Sequence, residues 1–186
     1  MRRPRRKRPN FAFIDSQNLN LGIQKMGWKM DWRKFRQYLQ KEFNVTQAYM
    51  FIGYMPENEA LYEYMHELGY LVVLKPTLEM KAHPQEPGGE DKAEAKPPTK
   101  GNVDADLVLY AMKELPNYDK AIIVSGDGDF YGLIEYLIQR NKLLRILTPN
   151  WQYSTLLKPF ESHIVRLDQL RRELAYYEHR NKKKRT

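Results

Sequence analysis

The sequence contains no cysteine, only four histidines and no long apolar run. The absence of cysteine excludes disulfides, thiolate zinc sites and cysteine nucleophiles, and it is compatible with a reducing compartment. The histidines show no metal-ligand spacing. The longest apolar runs have the length of a strand, and no signal-type segment follows the basic N-terminus. We therefore expect a cytoplasmic protein with no membrane partner.

Basic residues are concentrated at the two ends of the chain. Of 186 residues with a net charge of +8, positions 2–8 carry six Lys or Arg and positions 180–185 carry five. The remaining twenty basic residues face twenty-three acidic ones. We expect a basic arm over 1–9, one domain over 10–178 and a basic tail over 179–186. Such arms attract nucleic-acid phosphates without sequence preference; solvating ends or a localisation signal are the alternatives.

Strand-type runs alternate with helical spacing along the body of the chain. This alternation predicts an α/β fold in which helices flank a mostly parallel sheet of five to six strands, joined by right-handed crossovers. The sixth strand is expected to be short and at the edge. The predicted strands are 11–15, 45–54, 70–74, 121–124, 143–147 and 163–167.

The apolar spacing also predicts which helix faces point inward. Asp31 is expected to cap a helix whose apolar stripe includes Phe35 and Leu39. A helix from Pro56 should bury its spaced apolar side chains and stop at Gly69. A final helix from Asp168 should pair Leu170 with Leu174 and Tyr177. The inward side chains predicted for the helix from Pro56 are Leu61, Tyr64, Met65 and Leu68.

Residues 79–100 interrupt this rhythm. They are polar, rich in proline and almost free of large apolar side chains. Such a segment cannot bury enough surface to order itself, so we expect a flexible insertion. Because it leads into an acidic cluster, we hypothesise a flap beside a functional site; a tolerated surface insertion is the alternative.

Two aspartates follow the strand-type run at 121–124. Asp127 and Asp129 alternate with Gly126 and Gly128 in a tight turn that precedes a helix. In a parallel α/β sheet this turn lies at the carboxyl ends of the strands, where ligands bind. A divalent cation would relieve the repulsion between the two carboxylates. The alternative is that they only cap the next helix.

Further aspartates are predicted at the same edge of the sheet. Asp15 ends the first strand, and Asp104 and Asp106 lie in the first turn of a helix. A straight helix cannot aim residues two apart in the same direction. We therefore favour Asp104 as the site residue, with Asp106 as a cap or a solvent-facing residue. Carboxylate oxygens without Cys or clustered His suit Mg²⁺ or Mn²⁺, which support phosphodiester hydrolysis.

Three segments together resemble the signature motifs of the NYN domain, in particular its LabA-like branch, a relative of the PIN-domain ribonucleases. They are Asp15-Ser-Gln-Asn18, Lys100-Gly-Asn-Val-Asp104-Ala-Asp106 and Ser125-Gly-Asp-Gly-Asp-Phe130, in the expected order. The resemblance implies a three-layer PIN-like fold and an acidic pocket that binds a divalent metal and cleaves RNA.

Carried over by position, the resemblance implies four acidic site residues, namely Asp15, Asp104, Asp127 and Asp129. Asn18 and Ser125 match the polar residues that orient them, and Lys100 is placed to approach a phosphate. These three residues would therefore contact substrate or position the acids.

The leading prediction is a Mg²⁺- or Mn²⁺-dependent endoribonuclease that acts on RNA, preferably single-stranded. The rival is a catalytically silent RNA-binding or adaptor module of the same fold. A phosphatase acting on small phosphoesters is a third reading. Trp151 and Tyr153 are candidates for base contacts that sequence alone does not distinguish from ordinary surface aromatics. A homo-oligomer is compatible with the sequence.

Overall fold

The computed structural model describes residues 8–75 and 103–177. In this part of the chain six strands form one sheet in the order β3-β2-β1-β4-β5-β6, and every neighbouring pair is parallel. The strands are β1 (Asn10–Asp15), β2 (Val45–Gly53), β3 (Tyr70–Lys75), β4 (Ala121–Val124), β5 (Leu143–Thr148) and β6 (Ile164–Arg166). The predicted α/β class and parallel sheet are confirmed.

Helices cover both faces of the sheet. They are α1 (Ser16–Lys25), α2 (Trp32–Phe43), α3 (Glu59–Glu67), α4 (Asp104–Lys113), α5 (Tyr131–Gln139) and α6 (Arg171–Leu174). Short 3₁₀ segments are Pro56–Asn58, Gly128–Phe130, Thr155–His163 and Leu167–Leu170. No helix of the described residues is long and apolar enough to cross a membrane.

Alternation along the central strands divides the core between the two faces. Ala12 and Ile14 of β1 pack in a cluster with α1, α2 and α6, whereas Phe11 and Phe13 pack with α4, α5 and residues 155–163. β4 alternates in the same way. Because both faces are covered, these strands consist almost entirely of apolar residues, as parallel strands usually do.

The order of the strands reverses between β1 and β4. From β1 the chain builds outward through β2 to β3, and it then returns to place β4 on the other side of β1. In doubly wound sheets the crevice at such a reversal, outside the carboxyl ends of the strands, is where ligands bind. Asp15 ends β1 and Ser125 follows β4, so both lie at this position.

Two predictions about helix faces are wrong. Leu61 and Tyr64 of α3 are exposed and Tyr62 is buried instead, whereas Met65 is buried as predicted. In this helix apolar and aromatic residues occur at adjacent positions, so the period of 3.6 fits two phases, and packing against β3 selects the second. The final helix is also shorter than predicted: α6 ends at Leu174, which is buried, and Tyr177 is exposed.

Several predictions fall on other parts of the sequence. Lys100 and the insertion over 79–100 lie outside the described residues, as do positions 1–7 of the basic arm and the basic tail over 179–186. The domain boundaries, 10–178, therefore stay predictions.

Candidate functional site

Asp15 sits at the centre of the carboxyl edge of the sheet, and its two oxygens hold the neighbouring elements. The backbone N–H of Asn18 donates to Oδ1 at 3.0 Å and so caps α1. The hydroxyl of Ser125, beyond β4, donates to Oδ2 at 3.2 Å. The side chain is buried, with 4% of the residue exposed. The end of β1 is thus fixed to the loop that follows β4.

Asn18 and Ser125 extend this network into that loop. The side-chain oxygen of Asn18 accepts the backbone N–H of Gly126 at 2.8 Å. Ser125 Oγ accepts the N–H of Asp127 at 3.1 Å while it donates to Asp15. The Ser125 hydroxyl therefore bonds both its own segment and the opposite one, and the Asn18 side chain bonds across to the opposite segment. The hydroxyl and amide thereby set the spacing between the carboxylates of Asp15 and Asp127.

Asp127 and Asp129 lie on the turn that follows β4. Asp127 Oδ1 accepts the N–H of Asp129 at 3.0 Å, which caps the 3₁₀ segment that begins at Gly128. Asp127 is half-buried and Asp129 is exposed. The capping role foreseen as the alternative is therefore present for Asp127. The cap occupies one oxygen of Asp127 and thereby fixes the direction of its carboxylate.

Asp104 and Asp106 take different places, although both lie in the first turn of α4. Asp106 forms an ion pair with Lys75, the last residue of β3, at 3.1 Å. Asp104 lies near enough to Asp15, Asp127 and Asp129 for their charges to contribute to the rise in its pKa. The charges of these four carboxylates, from β1, α4 and the turn after β4, therefore act on one another, whereas Asp106 is paired with Lys75.

The pKa values of two of these groups record their environment. Burial, followed by repulsion from the other three carboxylates, raises the pKa of Asp104 to about 6. Burial also raises the pKa of Asp15, with a smaller contribution from Asp127, whereas the N–H of Asn18 and the hydroxyl of Ser125 act in the opposite direction. Like charges brought together in a partly desolvated place hold protons more tightly.

The donor chemistry of this edge fits a hard divalent cation. All four charged groups are carboxylates, and an excess of negative charge is what such an ion neutralises. Among residues 8–75 and 103–177, no three Asp, Glu or His side chains converge closely enough to form a complete ligand set. Mg²⁺ does not require one, because it keeps several waters and is commonly bound by one or two carboxylates plus substrate phosphates.

Two contributors to this edge were missed by sequence reasoning. Lys75 pairs with Asp106 across more than thirty positions, and Asn150 donates from Nδ2 to the carbonyl of Gly22 at 2.7 Å. Lys75 carried no usable signal, since a lysine at a strand end is common. Asn150 did carry a signal. It is a polar residue just beyond β5, where a parallel strand leaves the sheet, as Asp15 ends β1 and Ser125 follows β4.

Comparison with known proteins agrees with this architecture. The chain is 26% identical over 163 residues to the low amplitude and bright protein LabA of Synechococcus elongatus, covering 86% of this chain and 83% of that protein. A crystal structure of a Vibrio parahaemolyticus protein of unknown function superposes with a TM-score of 0.68 at 22% identity, covering 94% of this chain and all of the other. The latter likeness supports the fold alone.

The family model of the NYN domain matches residues 11–165. This range runs from β1 into β6 and includes every element that contributes to the acidic edge. The similarity to LabA supports the LabA-like branch within this PIN-like family of nucleases. The chain belongs to the NYN domain family.

Proposed function

We propose that the protein is a divalent-metal-dependent endoribonuclease, with Asp15, Asp104, Asp127 and Asp129 as its active-site acids. The observation that supports the proposal is the electrostatic proximity of these four carboxylates near the reversal point of the sheet, where burial, and after it the charges of the other three, raise the pKa of Asp104 to about 6. Such repulsion is costly to the fold and is relieved when a cation occupies the edge. Membership in a nuclease family supports RNA as the substrate.

In this proposal Asp15, Asp104 and Asp127 hold Mg²⁺ or Mn²⁺. The bound ion supplies a polarised phosphate and a water of lowered pKa. Asp129, exposed on the turn, holds a second ion or orients the attacking water. Asn18 and Ser125 keep the carboxylates of Asp15 and Asp127 at fixed spacing through the hydrogen bonds described above. Lys100 is assigned to a substrate phosphate.

The test is cleavage of end-labelled single-stranded RNA with Mg²⁺ or Mn²⁺ by the wild type and Asp127→Asn. Asparagine retains an oxygen for the N–H of Asp129, and it caps as well as aspartate, so the variant should fold. Asp119→Asn is the matched control because Asp119 is an exposed residue that precedes β4 at the opposite end of that strand. We expect at least a ~100-fold loss for Asp127→Asn, in line with the cost of disturbing a metal site, and no loss for the control.

Equal cleavage by the wild type and Asp127→Asn would contradict the proposal. It would show that another site or a contaminating enzyme cuts the RNA.

The alternative is an RNA-binding or adaptor module of the same fold without turnover. It is favoured by one observation: among the described residues no complete set of three metal-ligating side chains is present. Calorimetric titration with Mn²⁺ separates the two functions. Binding that Asp127→Asn weakens supports the hydrolase, whereas no heat at millimolar Mn²⁺ supports the adaptor. A phosphatase would hydrolyse small phosphoesters and leave RNA intact.

A further inference from the structure

The loop after β5 is fixed to the same two segments that carry the acidic site. Asn150, 4% exposed, donates from Nδ2 to the carbonyl of Gly22 in α1 at 2.7 Å. Its Oδ1 accepts the N–H of Gln152 at 2.7 Å, which turns the chain sharply. A buried amide with both ends bonded holds this side of the loop against the helix that Asp15 caps.

The other side of the loop is fixed to the turn after β4. The N–H of Ser154 donates to the carbonyl of Gly126 at 2.9 Å. A Cβ added to Gly126 would lie 3.2 Å from Tyr153 Cβ, and one on Gly22 would lie 2.5 Å from Pro149 Cβ. At Gly22 only a residue without a side chain allows so close an approach, and at Gly126 a Cβ would be tightly packed. Residues 149–154, here called the β5 loop, are therefore packed directly on the site segments.

Trp151 lies between these two anchors and is 57% exposed. A buried asparagine and two close glycine contacts hold the β5 loop in place, although the largest side chain of this loop does not enter the core. A large aromatic ring on a fixed backbone loses little further freedom when it binds a flat partner. This distinguishes Trp151 from an aromatic on an unattached surface segment.

The surroundings of Trp151 favour one kind of partner. Its neighbour Gln152 is exposed and polar, and the acidic edge begins at Gly126 and Asp127, on the turn to which the loop is bonded. A single exposed ring matches the face of one nucleobase. Stacking on aromatic side chains is how proteins hold unpaired bases, whereas the bases of a duplex are already stacked on each other.

We propose that Trp151 is a stacking platform for an unpaired nucleobase of the RNA whose phosphodiester lies at the acidic edge. The proposal rests on the proposed function for the identity of the ligand, and it adds the residue that would select single-stranded RNA by holding one base beside the cleavage site. Stacking is tolerant of base identity, so the platform selects strandedness more than sequence.

The test measures binding of a fluorescein-labelled 12-nucleotide RNA in Mg²⁺, with every protein carrying Asp127→Asn so that the RNA stays intact, as a gel verifies. Trp151→Ala is compared with Trp151→Phe, which keeps a ring. Tyr176→Ala is the matched control, because Tyr176 is 54% exposed and its N–H donates to the carbonyl of Lys29, outside the segments that carry the acids. Circular dichroism verifies folding of each variant.

We expect Trp151→Ala to raise the Kd for the single strand about 10-fold or more, Trp151→Phe to restore most of the affinity, and Tyr176→Ala to change nothing. The Kd for a duplex of the same sequence should not respond to Trp151→Ala. In a series of oligonucleotides that each lack one base at a different position, one member should bind the protein with Trp151 and the Trp151→Ala variant with the same Kd, because it lacks the base that stacks on the ring.

An unchanged single-strand Kd for Trp151→Ala, an equal effect of Tyr176→Ala, or no RNA binding by the protein would each overturn the platform. Failure of the hydrolase proposal looks different. In that case cleavage in Mg²⁺ or Mn²⁺ is absent from the protein with Asp127, while the effect of Trp151→Ala on single-strand binding persists.

Discussion

At the amino end of the sheet Arg36, Lys120 and Lys142 donate to backbone carbonyls, whereas the carboxyl end brings carboxylates toward one another. Arg36 alone bonds the carbonyls of Gly69, Val45 and Thr46 at 2.9 to 3.3 Å. Lys142 donates to the carbonyl of Tyr118 and Lys120 donates to the carbonyl of Asn141, each at 2.6 Å. At the amino end of the sheet, positively charged side chains therefore donate to backbone carbonyls, whereas at the carboxyl end negatively charged side chains lie near one another.

Polar amides show the same contrast. Asn10, at the start of β1, donates to the carbonyl of Phe43 at 2.7 Å and accepts the N–H of Lys120 at 3.1 Å, which ties the end of α2 and the residue before β4 to β1. Asn18, beyond the other end of β1, accepts Gly126 N–H and so positions a turn that carries two aspartates. The amino end is arranged for stability, and the carboxyl end accepts a cost that a ligand can relieve.

The largest expected effect that separates the two ends is loss of activity without loss of fold. Asp15→Asn should lower RNA cleavage at least ~100-fold. Its amide retains an oxygen for the N–H of Asn18, its NH₂ group can donate to Ser125 Oγ in place of accepting from it, and a buried charge is removed, so the melting temperature should not fall. Cleavage assays and thermal denaturation of the same preparation measure both. Retained cleavage would show that the charge of Asp15 is not needed for activity.

The converse effect is expected at the amino end. Arg36→Met keeps the apolar stem but removes the hydrogen bonds to three carbonyls, and it should cost about 2 kcal/mol in the free energy of unfolding. Cleavage per folded molecule should be unchanged. Exposed Arg33 on the same helix provides the control, Arg33→Met, which should alter neither quantity. Chemical denaturation measures the difference in the free energy of unfolding. A drop in cleavage per folded molecule for Arg36→Met would contradict the separation of stability and activity between the two ends of the sheet.

The smallest effect concerns the pH dependence of stability without metal. The folded-state pKa of Asp104, about 6, exceeds the value of 3.8 for the unstrained carboxyl, so the folded state binds the proton more tightly. Stability contributed by protonated Asp104 is present below about pH 4 and is lost as pH rises through about 6. In EDTA at pH 7.5, Asp104→Asn should therefore be more stable than wild type by roughly 1 kcal/mol, after allowance for solvent screening.

Unfolding by urea over pH 4 to 8 measures this difference. Millimolar Mn²⁺ should reverse the order by stabilising the wild type more than Asp104→Asn. Parallel stability curves for the two proteins in EDTA would mean that burial and the neighbouring carboxylates do not raise the pKa of Asp104.

The elements of the fold with a single clear period were predictable from sequence. The apolar runs that became β1 and β4 admit no other phase, and Asp31 caps α2 as expected, accepting the N–H of Lys34 at 3.1 Å. Residues 59–67 admit two helical phases, so only packing could decide between Leu61 and Tyr62. Local pattern determines an element, and tertiary contact determines which of its faces is buried.

The candidate site divides in a similar way. Strand ends are local features, so aspartates at 15 and 127 could be assigned to one edge before any coordinates existed. The direction of Asp106 toward Lys75, and the attachment of Asn150 to Gly22, depend on how distant segments approach. Glycine at 22 permits that approach, but its neighbour is more than a hundred positions away.

Asp15 and Asp127 each cap a helical segment in addition to facing the other carboxylates. Capping alone would favour an aspartate or an asparagine at both positions, whether or not the protein cuts RNA. The presence of a capping residue at either position therefore says little about activity, which must be judged from the charge that an asparagine would lack.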